Sequence, residues 1–418
     1  MTPSGCLRSR RRSAARRVAR PAWPARAWRA CTPWGRPVRG WPARALLLAL
    51  SCLWVSACSA PAPASTAPAA PTAPTPQATP AAAASPSAQA GPATVAPLSP
   101  AVAVKVGITG IAPEAAIYQA LEQGYFQNEG LDVELVRVRG ITEQVGLLAT
   151  GQLHFGNGGI DPGLFNAAQR DIGLKLVTAM VISTEQNPGG AALVVRSDLV
   201  DSGQYQGLDD LKGLTIAISA LGTTSQSYLE RALARGGLTA DDVTLTPMSF
   251  PDMLTAIGNK AVDAAWEVEP FVAIANSRGL ARTMAKAGDV FPNAIGVVMV
   301  ISPQFAAEQP EAARRYVTAY LRAVRDYYRA FVTNEDPAGR EQISQVLMKH
   351  TAVKDPALYP LMGWPGVDPN GGLDERMLDE MQDYLLRKGT IREKTPVDRI
   401  VDHSYVAYAL ERLGRYPQ

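Results

Sequence analysis

Beyond Cys58 the chain contains no cysteine. That absence removes an internal disulfide, a thiolate nucleophile and a cysteine metal site from the body of the protein. Cys6, Cys31 and Cys52 all precede it. Histidine is almost as scarce: His154, His350 and His403 stand singly, without the spacing of metal ligands, and are expected to be structural or surface residues. No P-loop and no GxGxxG fingerprint occurs, and the GNGG of residues 156–159 is too short to count as one. Lysine, aspartate and glutamate are missing from the first 57 residues, which carry twelve arginines. Without those arginines a total of 41 basic and 38 acidic side chains becomes 29 against 38, a net of −9. A body of that sign argues against nucleic acid as the partner, because phosphate neutralisation needs a basic surface.

What is present begins with a short apolar run. Ala45–Ala57 is thirteen uncharged residues, ALLLALSCLWVSA, behind a basic stretch that ends at Arg44. A bilayer span needs roughly 20 apolar residues, so this run has the length of a signal-peptide core instead. VSAC (55–58) sets small residues before a cysteine and resembles the lipobox of bacterial lipoproteins, which implies cleavage before Cys58 and lipidation of its thiol. The leader ahead of the apolar run is long, and the expected translation start lies downstream of Met1, near Val38. From Ser59 to Pro100 the chain is nearly all Ala, Pro, Ser and Thr, with eleven prolines and no charge. It has too little apolar surface to fold and is expected to be an extended tether reaching about 100 Å.

With 418 residues, 47% of them hydrophobic, the chain has room for two or three domain-sized units. Its body alternates strand and helix signals. AVAVKVGITG (101–110) is an apolar run ending at glycine, PEAAIYQALEQGYFQNEG (113–130) has helical spacing, and LDVELVRV (131–138) returns as a strand. A second unit of the same type begins near AALVVRSDL (191–199), and AIGVVMVIS (294–302) reads as a crossover back toward the first. Such alternation predicts parallel sheets covered on both faces. The aromatic stripe of PEAARRYVTAYLRAVRDYYRAF (310–331) is expected to pack in a core. The predicted organisation is a signal region over 1–57, a lipidated cysteine and tether over 58–100, one lobe from 101–190 with 297–418, and another from 191–296. Ala191–Val195 and Ala294–Val298 are the expected hinges, with few other contacts joining the lobes.

The order KVGITG, QALEQGYFQNEGLDVELV, LATGQLHFGNGG, LKGLTIAIS and AVDAAWEVEPF is similar to the substrate-binding proteins of ABC importers in the sulfonate, nitrate, taurine and thiamine-pyrimidine group, the SsuA/THI5-like proteins. The resemblance covers roughly residues 103 to 330 and is less distinctive over the C-terminal helices. It implies an α/β, two-lobed type II periplasmic binding protein fold, each lobe a sheet flanked by helices, closing over one small ligand. It also implies an extracytoplasmic location, delivery to an ABC permease and its ATPase, a monomer, and neither cofactor nor metal.

Physical chemistry points to the site independently, because ligands of open α/β sheets bind beyond the carboxyl ends of strands, at glycine-rich loops and helix N-termini. Four such places occur: Thr109 and Gly110; Asn157, Gly158 and Gly159; Ser219 through Gly222, Thr223 and Thr224; and Trp266 with Glu267. In SALGTTSQS (219–227), Thr223 fits an N-cap with Gln226 as its capping-box partner. Glu269, in EVEP, reads as a surface or hinge residue. None of the four loops contains Lys or Arg, which tilts the ligand toward an aromatic or neutral molecule with Trp266 as a stacking face and Glu267 as an acceptor, rather than a sulfonate or nitrate.

Three classes of function compete. A binding lipoprotein for uptake accounts for the signal, the tether and the missing catalytic groups. An enzyme on the same fold, related to thiamine-pyrimidine synthesis, is the alternative, but those relatives carry a cysteine-rich metal motif that this body lacks. A ligand-sensing domain of a transcription regulator would need a cytoplasmic location, which the export signal opposes.

Overall fold

The computed structural model describes residues 95–417. Cys58, the signal region and most of the predicted tether lie outside the described residues. Ten strands build two five-stranded sheets. The first comprises β1 (Val102–Ile108), β2 (Leu131–Arg137), β3 (Phe155–Gly158), β4 (Lys175–Ser183) and β10 (Ala294–Ile301), in the order β2-β1-β3-β10-β4. The second comprises β5 (Ala191–Arg196), β6 (Thr215–Ile218), β7 (Thr244–Pro247), β8 (Ala264–Val268) and β9 (Ala281–Lys286), in the order β7-β6-β8-β5-β9.

Both sheets are mixed, which corrects the expectation of parallel sheets. β1 runs parallel to β2 and β3, but β10 is antiparallel to β3 and β4. In the second sheet β6 runs parallel to β7 and β8, whereas β5 is antiparallel to β8 and β9. The two exceptions are the strands that follow the passages between sheets, residues 184–190 and 287–293. A strand arriving from the other sheet does not return from a helix that covers the sheet it enters, the one turn Ala287–Val290 packing in the core of the sheet being left, so no βαβ crossover fixes its direction as parallel. The edge strand β9 carried no sequence signal, because Arg282, Thr283 and Lys286 break up its apolar pattern and only Ala281 and Ala285 are buried.

Each sheet is nonetheless buried on both faces. Ile117, Phe126, Tyr316 and Tyr320 cover one side of the first sheet, and Leu148, Phe165 and Leu378 the other. Leu193, Ile216, Leu229 and Trp266 cover one side of the second, and Val194, Ala217, Met253 and Ile257 the other. The aromatic stripe of the helix Pro310–Tyr327 packs in the first core, where Tyr316 stacks on Phe155 at 3.9 Å and on Phe126 at 4.8 Å. Burying such rings contributes on the order of 2 kcal/mol or more each.

The lobes meet through more than the two passages, contrary to expectation. Lobe 2's Glu269 lies 2% exposed behind the passages. Its carboxylate accepts the N–H groups of Gly363 at 2.7 Å and Ala273 at 3.0 Å, and its carbonyl accepts Ala112 N–H at 2.9 Å. The helix Glu375–Arg387, packed on the first sheet, reaches the helix Thr224–Arg235 of the other lobe. There Tyr384 donates to Glu230 at 3.1 Å, Lys388 pairs with Glu230 at 2.7 Å, and Arg231 pairs with Glu380 at 3.3 Å.

Candidate functional site

In the first sheet β1 stands between β2 and β3, and in the second β6 stands between β7 and β8, so each sheet reverses its strand order at one point. A crevice opens beyond the strand ends at such a reversal, because the flanking helices leave to opposite faces. The two crevices face each other across a cavity of about 110 Å³. Thr109 lines it after β1, Asn157, Gly158 and Gly159 at the end of β3, Ser219, Thr223 and Thr224 after β6, and Trp266 from β8.

Gly110, Gly222 and Glu267 are not among the lining residues. Gly110 and Gly222 serve their turns: φ is +87° and +74°, values at which an L side chain is strained. Glu267 follows Trp266 on a strand, so its side chain leaves the opposite face; it accepts only the N–H of Val268, at 3.1 Å. Full burial without a cation pushes its carboxyl well above the usual carboxylate range.

The loop after β1 offers fewer donors than its sequence suggests. Glu114, fully buried, accepts the N–H groups of Thr109 at 2.7 Å, Gly110 at 2.8 Å and Ile111 at 3.2 Å, and the hydroxyls of Thr109 and Tyr118 as well. A carboxylate of the protein therefore occupies the donor nest that an anionic ligand would use. Asn157 shows the opposite imbalance. Its Nδ2 donates to the carbonyl of Gly107 at 2.8 Å, while Oδ1 is buried with no partner among the described residues.

The capping box expected after β6 does not form. Thr223 donates its hydroxyl to the carbonyl of Ala220 at 2.9 Å, and Gln226 accepts the N–H of Gly222 at 2.7 Å rather than that of Thr223. No side chain caps the helix Thr224–Arg235, and its N-terminus faces the cavity. Ser225 accepts from Ser219 at 3.0 Å, which leaves its own hydroxyl proton free to donate to a ligand. Thr224 spans the cleft instead: its Oγ1 accepts Ile160 N–H at 2.8 Å, and its N–H donates to Ile160 C=O at 3.3 Å.

Trp266 reaches the cavity but is 1% exposed and stacks on Tyr228 at 5.5 Å, so its ring face is already occupied. The half-buried ring of Phe250, from the helix Phe250–Gly258, also lines the cleft and is the accessible aromatic surface. Arg139 is the one charged side chain among the lining residues. It lies exposed just after β2, outside the four loops, so the absence of a cation inferred from those loops needs correction. Its strand-end position was the available signal. In water at the mouth, its charge is strongly screened.

The histidines lie elsewhere. His154 stacks on Phe305, while His350 and His403 meet Glu122 and Glu375, both at 2.7 Å. Among the described residues no cluster of three His, Cys, Asp or Glu side chains could hold a metal ion.

Residues 98–347 match the NMT1-like family. A binding protein of Brucella abortus (strain 2308) is 25% identical over 202 residues, which cover 47% of this chain and 58% of that protein. The chain thus spans little more than half the length of the curated relatives it matches. Among solved structures, the periplasmic nitrate-binding protein NrtA of Synechocystis PCC 6803 has a TM-score of 0.61 at 14% identity, covering 75% of this chain and 89% of its own. The alkanesulfonate-binding protein SsuA of Xanthomonas axonopodis pv. citri, bound to MOPS, has a TM-score of 0.58 at 18% identity, covering 73% and 99%. The desulfurization enzyme DSZB has a TM-score of 0.54 at 20% identity, covering 74% and 99%. The shared feature is the two-lobed periplasmic binding protein fold.

Proposed function

The chain belongs to the NMT1-like family, and on that premise we propose that it is an extracytoplasmic solute-binding protein that captures a small molecule between its lobes and delivers it to an ABC permease and its ATPase. The observation that carries this reading is the composition of the cleft. Its lining contains hydroxyls, backbone groups, aromatic rings and one exposed arginine, but no His, Cys, Asp or Glu. Such a surface can orient a ligand by hydrogen bonds and exclude water, yet it offers no pair of groups for general acid–base or nucleophilic chemistry. That favours binding and release over the enzymatic alternative, which the likeness to DSZB keeps in view.

The lobes in this reading are residues 101–190 with 297–418, and 191–296, hinged at Ala191–Val195 and Ala294–Val298. The protein acts as a monomer, held at the membrane surface by lipid on Cys58 and by the proline-rich tether. Among the described residues no helix is long and apolar enough to cross a membrane. The test is a thermal-shift screen over sulfonates, oxyanions, pyrimidines and small amides, followed by chromatography of what the unfolded protein releases. A ligand bound only by the folded state raises the melting temperature. It should be returned chemically unchanged, and its conversion to product would overturn the binding reading.

A further inference from the structure

We infer that the cleft selects an uncharged small molecule bearing an amide-type group (carboxamide, sulfonamide or ureide) and discriminates against bare oxyanions, with Asn157 as the specificity-determining residue. This rests on the reading of the cleft as the ligand site.

The two walls of the cleft have opposite hydrogen-bonding character. On the first lobe the loop donors that could serve an anion are consumed by Glu114, which accepts from Thr109, Gly110 and Ile111. Beside that loop Asn157, 1% exposed, is among the lining residues, and its Oδ1 is a buried acceptor with no partner among the described residues. The orientation of its amide follows from its neighbour: Gly107 C=O can only accept, so the nitrogen must face it and the oxygen is the free atom. Asn157 lies opposite Met299 on β10, on the face that also turns Val297 and Val181 toward the cavity. A ligand oxygen brought here would meet an acceptor and a nearby carboxylate. A ligand N–H would satisfy a group that is otherwise left unpaired at a cost.

On the second lobe the character inverts. The uncapped N-terminus of the helix Thr224–Arg235 and the free hydroxyl proton of Ser225 are donors, suited to a carbonyl or sulfonyl oxygen. One amide group, N–H toward Asn157 and oxygen toward Ser225, satisfies both walls at once. Phe250 offers its ring to an apolar substituent.

The test uses matched probe pairs of nearly equal shape: urea and nitrate, methanesulfonamide and methanesulfonate, benzamide and benzoate. Each is titrated calorimetrically, directly or in competition, into the full-length protein. The amide member should bind at least about tenfold more tightly in every pair that binds, a difference of about 1.4 kcal/mol. Asn157→Leu should erase that preference. Because Leu strands the Gly107 carbonyl and endangers folding, Ser225→Ala provides a second arm: it removes the hydroxyl donor of the other wall and leaves the Asn157–Gly107 bond intact, so it should weaken the amide member of each pair several-fold.

Equal or tighter binding of the anionic member overturns the proposal, as does a Ser225→Ala variant whose affinity for the amide members is unchanged. A liganded crystal structure with a fixed water, rather than the ligand, on Asn157 Oδ1 would overturn it too. If no amide-type compound of the pairs or of the wider screen binds while another compound does, the amide class falls and the binding-protein reading stands. If nothing in either set binds, both fall.

Discussion

Thr224→Val removes one of the direct bonds between the two walls of the cleft, the side-chain bond from Ile160, and leaves the backbone bond between the same residues in place. Valine keeps the shape of threonine and removes only the Oγ1 that accepts Ile160 N–H at 2.8 Å. Ile160 is 2% exposed, so with the lobes together its N–H has no water to turn to. A buried donor left without a partner costs about 1–3 kcal/mol. In an open form the same N–H is hydrated and the cost vanishes, so the whole penalty falls on the closed state. It shifts the closed-to-open ratio by roughly five- to 150-fold. On the proposed reading ligand holds the closed form, and a free protein that is mostly open then shows the same factor in its Kd.

The absence of cysteine from the body makes the population measurable. Exposed Glu134 on β2 and exposed Asp241 before β7 can each be replaced by Cys and labelled for single-molecule energy transfer without a competing thiol. Thr224→Val should move the ligand-free distribution toward the open state and raise the Kd for whichever ligand the screen identifies by at least about fivefold. Unchanged distributions together with a Kd within twofold of wild type would refute the reasoning, since the bond would then have no part in closure.

Further outcomes are expected at Glu269, at Trp266 with Phe250, and at Cys58. The carboxyl of Glu269 is pushed up to about 7 from its ordinary 4.5, chiefly by burial, with the N–H groups of Gly363 and Ala273 opposing the shift. The folded state thus keeps this proton to higher pH than the unfolded chain, so wild-type stability declines as pH rises from about 4.5 through 7, by up to about 3 kcal/mol. Glu269→Gln lacks that titration, so its melting temperature relative to wild type should climb between pH 5 and pH 8; a constant difference would contradict the linkage. Trp266→Ala should cost roughly 3–5 kcal/mol of stability in the ligand-free protein, as expected for a buried ring. Phe250→Ala should spare the melting curve far more and weaken a ring-bearing ligand, and a reversal of the two effects would return the stacking role to Trp266. Cys58→Ser should yield a protein without lipid by mass spectrometry, and finding it acylated like wild type would exclude Cys58 as the anchor.

The sequence alone determined most of the segments that become strands and helices, β9 excepted, because apolar periodicity and glycine punctuation act locally. It also located the loops that end the strands, since a strand-to-helix turn declares itself by its glycines. What those loops do was decided by tertiary contacts. The N–H groups of Thr109 and Gly110 read as ligand donors until the buried Glu114 claims them. Thr223 does sit at the N-cap position, but its hydroxyl donates to the carbonyl of Ala220 and caps no helix N–H. Trp266 reads as an open ring until Tyr228 closes over it, whereas Phe250 enters the cleft from a segment with no glycine signal and Arg139 from the strand end just before Gly140. The antiparallel course of β5 and β10 is likewise invisible in a list of strands, because direction within a sheet depends on where the chain re-enters it. A hydrogen-bonding group is legible in one dimension; whether it is free to bind depends on partners far along the chain, and folding alone brings those to it.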